Sequence, residues 1–456
     1  MKKRMYKIMA LAMTAAMVVP MAAQTTAFAA DDKEITYWNI AVESPDKDIV
    51  TAAVDKFNKE TESGYTVNSV AIQNDTYKEK LVIAMSSGEC PDMYSSWSGG
   101  PMYEYIDSGF AQPIDDLLDQ SDIKDKLLDA AIEQGSYNGH VYAIPYLNVS
   151  LAGIFYNKDM FKQYGLEEPK TLADLENICA TLKENGITPF ALANGSKWTG
   201  SMYFMSLAAR YGGLEPFQNA VAGTGKFTDD CFIKAGEKIQ EWVKNGYFPD
   251  GVNSLSEDDG QAKQLMYQET AGMLLCGSWY TGTFQTDSEE FYQKKIGWFP
   301  IPAIDDSDAD PTIQIGTVGD QFICFNCEGD KLAAAFECAA DHLSDEVEDM
   351  IYSTGKIAPV KDAGDHISDP VVKEIFDAAQ EASSIQLWYD QYLPTSVASA
   401  HLDGLQEVFG LTKTPQEAQE EMQTAMDEYL STKSDSGAAD DTAEEATDDA
   451  AADDAE

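Results

Sequence analysis

The segment ITYWNI at 35–40, with the chain that follows it up to Gly88, decides the fold class. Its β-branched and aromatic residues predict a strand, and the helical spacing of apolar residues from Ile49 to Phe57 predicts a helix after it. YTVNSVAI at 65–72 predicts a second strand, and a second helix ends at Gly88. Strands that alternate with helices within about 60 residues predict βαβ units and a largely parallel sheet.

Later segments extend this α/β pattern over the body of the chain. Capping boxes, in which a Thr is followed three residues later by an acidic residue, predict helix starts at Thr76, Thr171 and Thr414. The last of these helices is expected to close the folded body near Leu430. Because the strands and helices are too many for one sheet of ordinary width, we predict an α/β fold of two lobes. A ligand cleft between the lobes is common in such an architecture.

Residues 1–29 have the pattern of a secretory signal peptide. Basic residues precede an apolar run at 8–19, and AFA at 27–29 supplies the small residues of a cleavage site. A membrane anchor is the alternative, but the run is shorter than the ~20 residues that span a bilayer. The first cysteine is Cys90, so no lipid attachment is expected. We expect an exported mature chain from about Ala30 onward, extracellular, periplasmic or associated with the cell surface.

The charge of the chain excludes some classes of partner. Lys and Arg number 31 against 78 Asp and Glu, which gives a formal net charge of −47. A surface this acidic repels nucleic acid and anionic lipid, so neither is expected as a partner. Residues 434–456 contain ten acidic residues and no basic or large apolar residue, which predicts a disordered tail. Contact of this tail with calcium or the cell wall is the alternative.

The sequence contains no catalytic motif. GxSxG, HExxH, a Walker loop and a GxGxxG that opens a helix after a strand are all absent. The four histidines are far apart, and Cys324 and Cys327 have no second ligand pair that would complete a zinc site. We therefore predict no catalytic residue, no metal site and no cofactor. A glycoside hydrolase with paired carboxylates is the alternative that 78 acidic residues leave open.

Four tryptophans lie among Gly, Ser, Asn, Thr and Asp residues, in segments that are predicted to be loops. They are Trp97, Trp198, Trp279 and Trp388. Trp242 and Trp298 follow helical and strand-like apolar patterns, and we predict that they are core residues. A large flat side chain on a loop is costly to leave in water. Sugar rings offer apolar C–H faces that stack on indoles, and their hydroxyls need polar side chains. The four loop tryptophans therefore predict a carbohydrate site, with a buried structural corner as the alternative for each.

Several ordered segments are similar to those of one known family. They are ITYWNI at 35–40, CPDMYSSW at 90–97, NGHVYAIPY at 138–146, FYNKDMFKQYGLEEPKTLADL at 155–175, ETAGMLLCGSW at 269–279 and TGKIAPVKD at 354–362. With these segments the chain resembles extracellular solute-binding protein family 1, the sugar-binding components of ABC importers that include maltose-binding protein. The resemblance covers about 35–430 and implies a two-lobed periplasmic-binding-protein fold of type II, with the ligand cleft between the lobes.

The resemblance also implies domain boundaries and a function. Lobe 1 is expected to contain 30–146 and about 303–352, and lobe 2 is expected to contain 147–302 and about 353–433. The expected function is to bind a mono- or oligosaccharide by hinge closure and to deliver it to an ABC transporter permease. No reaction is catalysed, and the protein is expected to be a monomer. A secreted glycoside hydrolase, or a binding protein for a non-sugar solute, is the alternative.

Residue by residue, the resemblance implies a set of ligand contacts that are aromatic or polar. They are Glu43, Ser96, Trp97, Trp198, Trp279, Tyr280, Asp320, Trp388 and Asp390. Trp279 matches the aromatic residue that stacks on the ligand from the second lobe. Asp92 and the Tyr156-Asn157-Lys158 segment are family hallmarks to which we assign a structural role.

Overall fold

A computed structural model describes residues 33–448, with side chains up to Lys433. The predicted signal peptide at 1–29 and the last residues, 449–456, lie outside the described residues.

Thirteen strands occur in the described part of the chain. They are β1 (Glu34–Asn39), β2 (Thr66–Ala71), β3 (Met93–Ser96), β4 (Ser136–Tyr137), β5 (His140–Val141), β6 (Ala143–Tyr146), β7 (Ser150–Asn157), β8 (Thr188–Ala191), β9 (Ala271–Gly277), β10 (Ile296–Phe299), β11 (Gln314–Thr317), β12 (Gln321–Phe325) and β13 (Ile385–Gln386).

Twenty α-helices occur between residues 33 and 448. They are α1 (Asp46–Glu60), α2 (Asn74–Ser87), α3 (Gly100–Asp107), α4 (Asp115–Asp119), α5 (Ile123–Lys126), α6 (Asp129–Gln134), α7 (Lys158–Tyr164), α8 (Leu172–Glu184), α9 (Trp198–Gly212), α10 (Glu215–Val221), α11 (Asp230–Lys244), α12 (Gln261–Tyr267), α13 (Tyr280–Asp287), α14 (Glu289–Lys295), α15 (Gly329–Asp341), α16 (Asp345–Ser353), α17 (Pro370–Glu381), α18 (Tyr389–Tyr392), α19 (Thr395–Phe409) and α20 (Pro415–Asp448).

The first sheet has the strand order β2-β1-β3-β12-β6. Strand β1 is parallel to both β2 and β3, as the alternation of strands and helices after ITYWNI predicts. Strand β12 is antiparallel to β3 and β6. Ile35 and Tyr37 on one face of β1 are buried, as are Ile49 and Phe57 of α1, and all four belong to the main hydrophobic core. The predicted apolar stripe of α1 is therefore its core face.

The second sheet has the order β13-β11-β7-β9-β8, and β10 also pairs with β7. Strand β7 is antiparallel to β9, β10 and β11, while β8 is parallel to β9. Two mixed sheets with helices packed on them confirm the predicted α/β fold of two lobes.

Within residues 33–448 the chain passes between the two sheets three times. It passes at 147–149 from β6 to β7, at 318–320 from β11 to β12, and at 354–362 after α16. The first and third passages lie side by side, because the Val149 N–H donates to the Ile357 carbonyl (2.6 Å). The predicted boundaries at 146/147 and 352/353 lie close to two of these passages. The predicted boundary near 303 does not lie close to a passage, because β11, which follows it, still belongs to the second sheet. The extent of each lobe stays a prediction.

Local capping signals are correct at two of three helix starts. Thr171 and Asp174 form the predicted box at α8, and Thr414 forms hydrogen bonds in both directions with Glu417 at α20. At Thr76 the prediction is wrong: α2 already begins at Asn74, so Thr76 lies inside the first turn. The Tyr77 N–H instead donates to the backbone carbonyl of Gln73, the residue before the helix.

The predicted core tryptophans and the cysteines lie in the interior. Trp242 and Trp298 are both 2% exposed. All seven cysteines lie within the described residues and carry free thiols, and all but Cys90 are buried. Between residues 33 and 448, no helix is both long enough and apolar enough to cross a membrane.

Helix α20 extends beyond the end that the sequence predicts for the folded body. Its backbone continues through 434–448, where we predict a disordered tail. Four of these fifteen residues are Ala, which has the highest helix propensity, and adding a residue to an existing helix is easier than starting a new one. Disorder of 449–456 stays a prediction outside the described residues.

Candidate ligand-binding site

A cavity of about 250 Å³ that water can enter lies between the two sheets. The loop after β1, the start of α2 and the residue after β3 line it from the first sheet. The starts of α9 and α13 and the segment around α12 line it from the second sheet. Several of these segments follow the carboxyl ends of strands β1, β3, β8 and β9. Ligands of open α/β sheets bind at that edge, because the loops that leave the strands meet there.

Aromatic rings form a continuous surface on one side of this cavity. The ring centroids of Trp198 and Trp279 are 6.0 Å apart at an interplanar angle of 56°, and those of Trp279 and Trp388 are 5.9 Å apart at 71°. Trp97 also lines the cavity and meets Tyr77 edge-on at 6.2 Å. Trp97, Trp198 and Trp279 are half-buried, while Trp388 is only 4% exposed. Trp97, Trp198 and Trp279 therefore have one side against protein and another open to the cavity, whereas Trp388 contributes mainly by packing edge-on against Trp279.

The position of Trp279 depends on a glycine at the end of β9. A Cβ built on Gly277 would lie 1.9 Å from the Trp279 ring. The indole thus lies directly against the strand backbone, and only a residue without a side chain permits this approach. The pairing of Gly277 with Ala152 of β7 fixes that backbone in the centre of the second sheet.

Polar contacts join the two sides of the cavity. Lys263 in α12 lies 3.7 Å from the Glu43 carboxylate in the loop after β1. The Asp75 N–H at the start of α2 donates to an Asp258 carboxylate oxygen (3.1 Å). Lys78 lies 3.4 Å from Asp390. The described lobes are therefore already in contact across the cleft that separates their sheets.

Two carboxyl groups in the cavity have strongly shifted pKa values. Burial raises the pKa of Asp320 to about 7, although the nearby Lys356 ammonium opposes the shift. Burial likewise raises the pKa of Glu257 to about 7, against the opposing effects of a hydrogen bond from the Tyr280 hydroxyl and of the Lys263 charge. Both groups change charge near neutral pH, where an ordinary carboxyl is fully ionised.

Most of the predicted ligand contacts lie together at this cavity. Those that line it are Glu43, Trp97, Trp198, Trp279, Tyr280, Asp320, Trp388 and Asp390. Ser96 does not line it, which corrects that assignment: it is 2% exposed and pairs with Phe322 inside the first sheet. Side chains alternate between the faces of a strand, so its neighbour Trp97 reaches the cavity and Ser96 does not. That the lining residues contact a ligand stays a prediction.

Sequence reasoning missed several charged residues at the cavity. Lys78, Glu257, Asp258 and Lys263 all line it. The acidic run EDD at 257–259 is followed directly by Gly260, and that was the available signal. No sequence signal pointed to Lys78, because it is a single lysine on an amphipathic helix.

The described residues contain no group of three or more His, Cys, Asp or Glu side chains that could hold a metal ion.

Comparison with known proteins identifies the family. The model of the bacterial extracellular solute-binding proteins matches residues 41–337. This chain belongs to that family. The match includes the first sheet except β1, the second sheet except β13, and the segments that carry Trp97, Trp198 and Trp279.

Individual relatives of this solute-binding protein agree with the assignment. An uncharacterized ABC transporter extracellular-binding protein of Pyrococcus horikoshii is 32% identical over 229 residues, half of each chain. The melibiose/raffinose/stachyose-binding protein of Bacillus subtilis is 23% identical over 60% of this chain and 63% of its own. The chain thus matches about half to two thirds of the length of these curated relatives.

A solved structure from work on xylan utilization by the thermophilic bacterium Caldanaerobius polysaccharolyticus has the same fold. It is 29% identical, with a TM-score of 0.78, over 86% of this chain and 99% of that one. The similarity covers a larger share of this chain than the family match does.

Proposed function

We propose that this protein binds a saccharide in the cleft between its two lobes and delivers it to the permease of an ABC transporter. The observation that carries the proposal is the collection of four tryptophans at one cavity. They come from four separate segments of the chain, and all four line the same space. Stacked indoles contribute affinity for the C–H faces of a sugar, since large aromatic surfaces bind apolar faces well.

The polar residues of the cavity suit a saccharide too. Carboxyl groups, four side-chain amides and two lysines surround the indoles, and they include Asp320, Gln321 and Asp390. Each hydroxyl of a bound sugar needs a donor or acceptor when it leaves water. A site with apolar faces and polar edges fits a ligand whose own surface alternates in the same way.

Closure of the two lobes is the proposed binding step. The contacts of Glu43 with Lys263 and of Asp75 with Asp258 join segments that belong to different sheets. Contacts that exist only when the lobes approach stabilise the closed state, and a ligand held by both lobes shifts the population further toward it. We infer that the permease recognises this closed form.

The names of relatives support the ligand class. The Bacillus subtilis relative is named for melibiose, raffinose and stachyose, and a relative in Streptococcus mutans, 30% identical over 179 residues, is a multiple sugar-binding protein. Each name describes that protein only, so the sugar bound by this chain has to be measured.

A ligand screen followed by calorimetry tests the proposal. Xylo-, chito-, malto- and galacto-oligosaccharides and the raffinose series are compared with peptides, polyamines and metal ions in a thermal-shift assay. A ligand at about one hundred times its Kd stabilises the folded state by about 2.7 kcal/mol, which is a clear rise in Tm. We expect one saccharide class to raise the Tm and to lower the radius of gyration in X-ray scattering. A rise caused only by a peptide, polyamine or metal would contradict the proposal.

We also propose that the protein is a monomeric binding protein without catalytic activity. The family assignment supports the absence of catalysis, because the family is described by solute binding rather than by a reaction. Incubation of the purified protein with polysaccharides and the bound oligosaccharide, with analysis of released products, separates it from the alternative of a secreted hydrolase. Light scattering after gel filtration measures the mass, and fractionation of the source cells tests export.

A further inference from the structure

The charges that line the cavity are unequal in number. Six are acidic, and they are Glu43, Asp46, Glu257, Asp258, Asp320 and Asp390. Two are basic, Lys78 and Lys263. Lys356, which is not part of the lining, pairs with Asp46, so five carboxyl groups remain against two ammonium groups. An excess of this sign makes the potential in the cleft negative.

Neither of the two lysines is available for a ligand anion. Lys78 lies 3.4 Å from the Asp390 carboxylate and 4.9 Å from the centre of the Trp97 ring. Lys263 lies 3.0 Å from Asp287 and 3.7 Å from Glu43. A carboxylate on the ligand would have to share an ammonium that already pairs with one or two protein carboxylates, so it gains less than it would from an unpaired lysine.

Asp320, in contrast, has no hydrogen-bond partner of its own. Its side chain lines the cavity and is 9% exposed. Among the described side chains and backbone groups, none donates a hydrogen bond to it, and only the charges of Lys356 and Asp46 act on it from nearby. The Asp320 carboxyl group opens onto the cavity, so its hydrogen-bonding capacity is free for what enters there. A hydroxyl group of a bound ligand has the chemistry to form a hydrogen bond with it.

We propose that the cleft selects uncharged saccharides over those that carry a carboxylate, and that Asp320 forms a hydrogen bond with a hydroxyl of the bound saccharide. The inference rests on the proposed function and narrows its ligand class. Xylan, pectin and other plant polymers contain both neutral and uronate units, so a cleft of this kind would sort their fragments by charge.

The titration of the cavity adds a pH dependence to this selection. Asp320 faces Lys356 and Asp46, and Glu257 faces Tyr280, Lys263, Asp258 and Asp75. Burial raises the pKa of each of the two carboxyl groups to about 7. The cavity therefore becomes more negative as the pH rises through neutrality, and an anionic ligand is repelled more strongly. A neutral saccharide meets no such repulsion.

Matched pairs of probes test the selection. Xylotriose, cellotriose, maltotriose and galactotriose are each titrated by calorimetry beside the analogue that contains one glucuronate or galacturonate unit. For the sugar series that binds, we expect the neutral member to bind about tenfold more tightly or better at pH of about 6, with a wider gap at about 8. Equal or tighter binding of the uronate analogue overturns the inference and leaves the proposed function intact. If the ligand screen identifies a different saccharide, the pair is made from that saccharide and its uronate analogue. If no saccharide in the screen binds, the proposed function fails, and the inference fails with it.

Two variants test the residues. Asp320→Ala should weaken binding of the neutral trisaccharide by about tenfold or more, and an unchanged Kd removes Asp320 from the inference. Asp390→Asn removes the carboxylate that pairs with Lys78 and should reduce the difference in Kd between the neutral and the uronate ligand. Glu407→Gln is the matched control: it removes one negative charge at a residue that pairs with Lys413 and lies outside the cavity. If Glu407→Gln reduces the difference in Kd as much as Asp390→Asn does, the overall charge of the protein causes the selection and the charges in the cleft do not.

Discussion

Replacement of Trp279 by alanine is the most direct test of the aromatic surface. Its indole is the middle ring of three, with Trp198 at 6.0 Å and Trp388 at 5.9 Å. The substitution removes a stacking face from the cavity and also leaves its two neighbours without their common partner. Truncation of a central aromatic contact costs about 1–3 kcal/mol of binding free energy, which corresponds to roughly a 5- to 150-fold rise in Kd.

The assay is calorimetry with the saccharide that the screen identifies, and Trp242→Phe is the control. Trp242 is 2% exposed, donates a hydrogen bond to Glu176 (2.8 Å) and stacks on Phe190 in the interior of the second lobe. This control should lower the free energy of unfolding and leave the Kd within about twofold of the original value. Measured Tm values show that both variants are folded at the temperature of the titration.

A second variant approaches the same ring from the backbone. In Gly277→Ala the new methyl group would lie 1.9 Å from the Trp279 indole, so the ring must move away from its present position. Binding should weaken as it does in Trp279→Ala, although the indole is still there. If Trp279→Ala binds the saccharide with an unchanged Kd, the aromatic surface does not hold the ligand and the reasoning is wrong.

Three other predictions concern stability and closure. The pKa of Glu257 is raised from 4.5 to about 7, so the folded protein loses stability as the pH rises between these values. Glu257→Gln should therefore raise the free energy of unfolding by about 1–2 kcal/mol at pH of about 8 and by little at pH of about 5. Urea denaturation at both pH values measures this difference. Thr171→Ala removes the N-cap that accepts the Asp174 N–H, and should cost about 1 kcal/mol of stability in the same assay without a change in Kd. In Gly100→Ala the methyl group would meet the Leu393 carbonyl oxygen at 2.2 Å, which should push α3 away from the 391–394 segment and lower both Tm and affinity; normal values of both would show that the backbone yields there at no cost.

Much of the secondary structure could be predicted from the sequence because its causes are local. The apolar spacing in α1 and α8 sets the face that each helix buries, and the Thr171 capping box supplies donors and acceptors within four residues. The miss at Thr76 is also local in origin. Thr76 and Glu79 have the residue types and the spacing of a capping box, but the residues just before Thr76 are already helical. Helix α2 therefore starts at Asn74.

The sequence predicted the type of ligand site, but only part of the set of residues that line it. Loop tryptophans with polar neighbours indicated a carbohydrate site, and the family resemblance supplied Asp320 and Asp390. The pairing of Lys78 with Asp390 joins residues 312 positions apart, and no local pattern carries that information. The prediction that Ser96 lines the cavity was wrong. The sequence does not show which residue at the end of β3 turns its side chain toward the cavity.

The sequence by itself determined the alternation of strands and helices, the core positions of Trp242 and Trp298, and the presence of four large indoles on loops. These follow from periodicity and composition, which act over a few residues. Only the tertiary structure decided that those four indoles share one cavity, that both lysines there are already paired and that Asp320 is buried without a partner. The reason is physical: burial and ion pairing depend on which distant segments the two sheets bring within a few ångströms of each other.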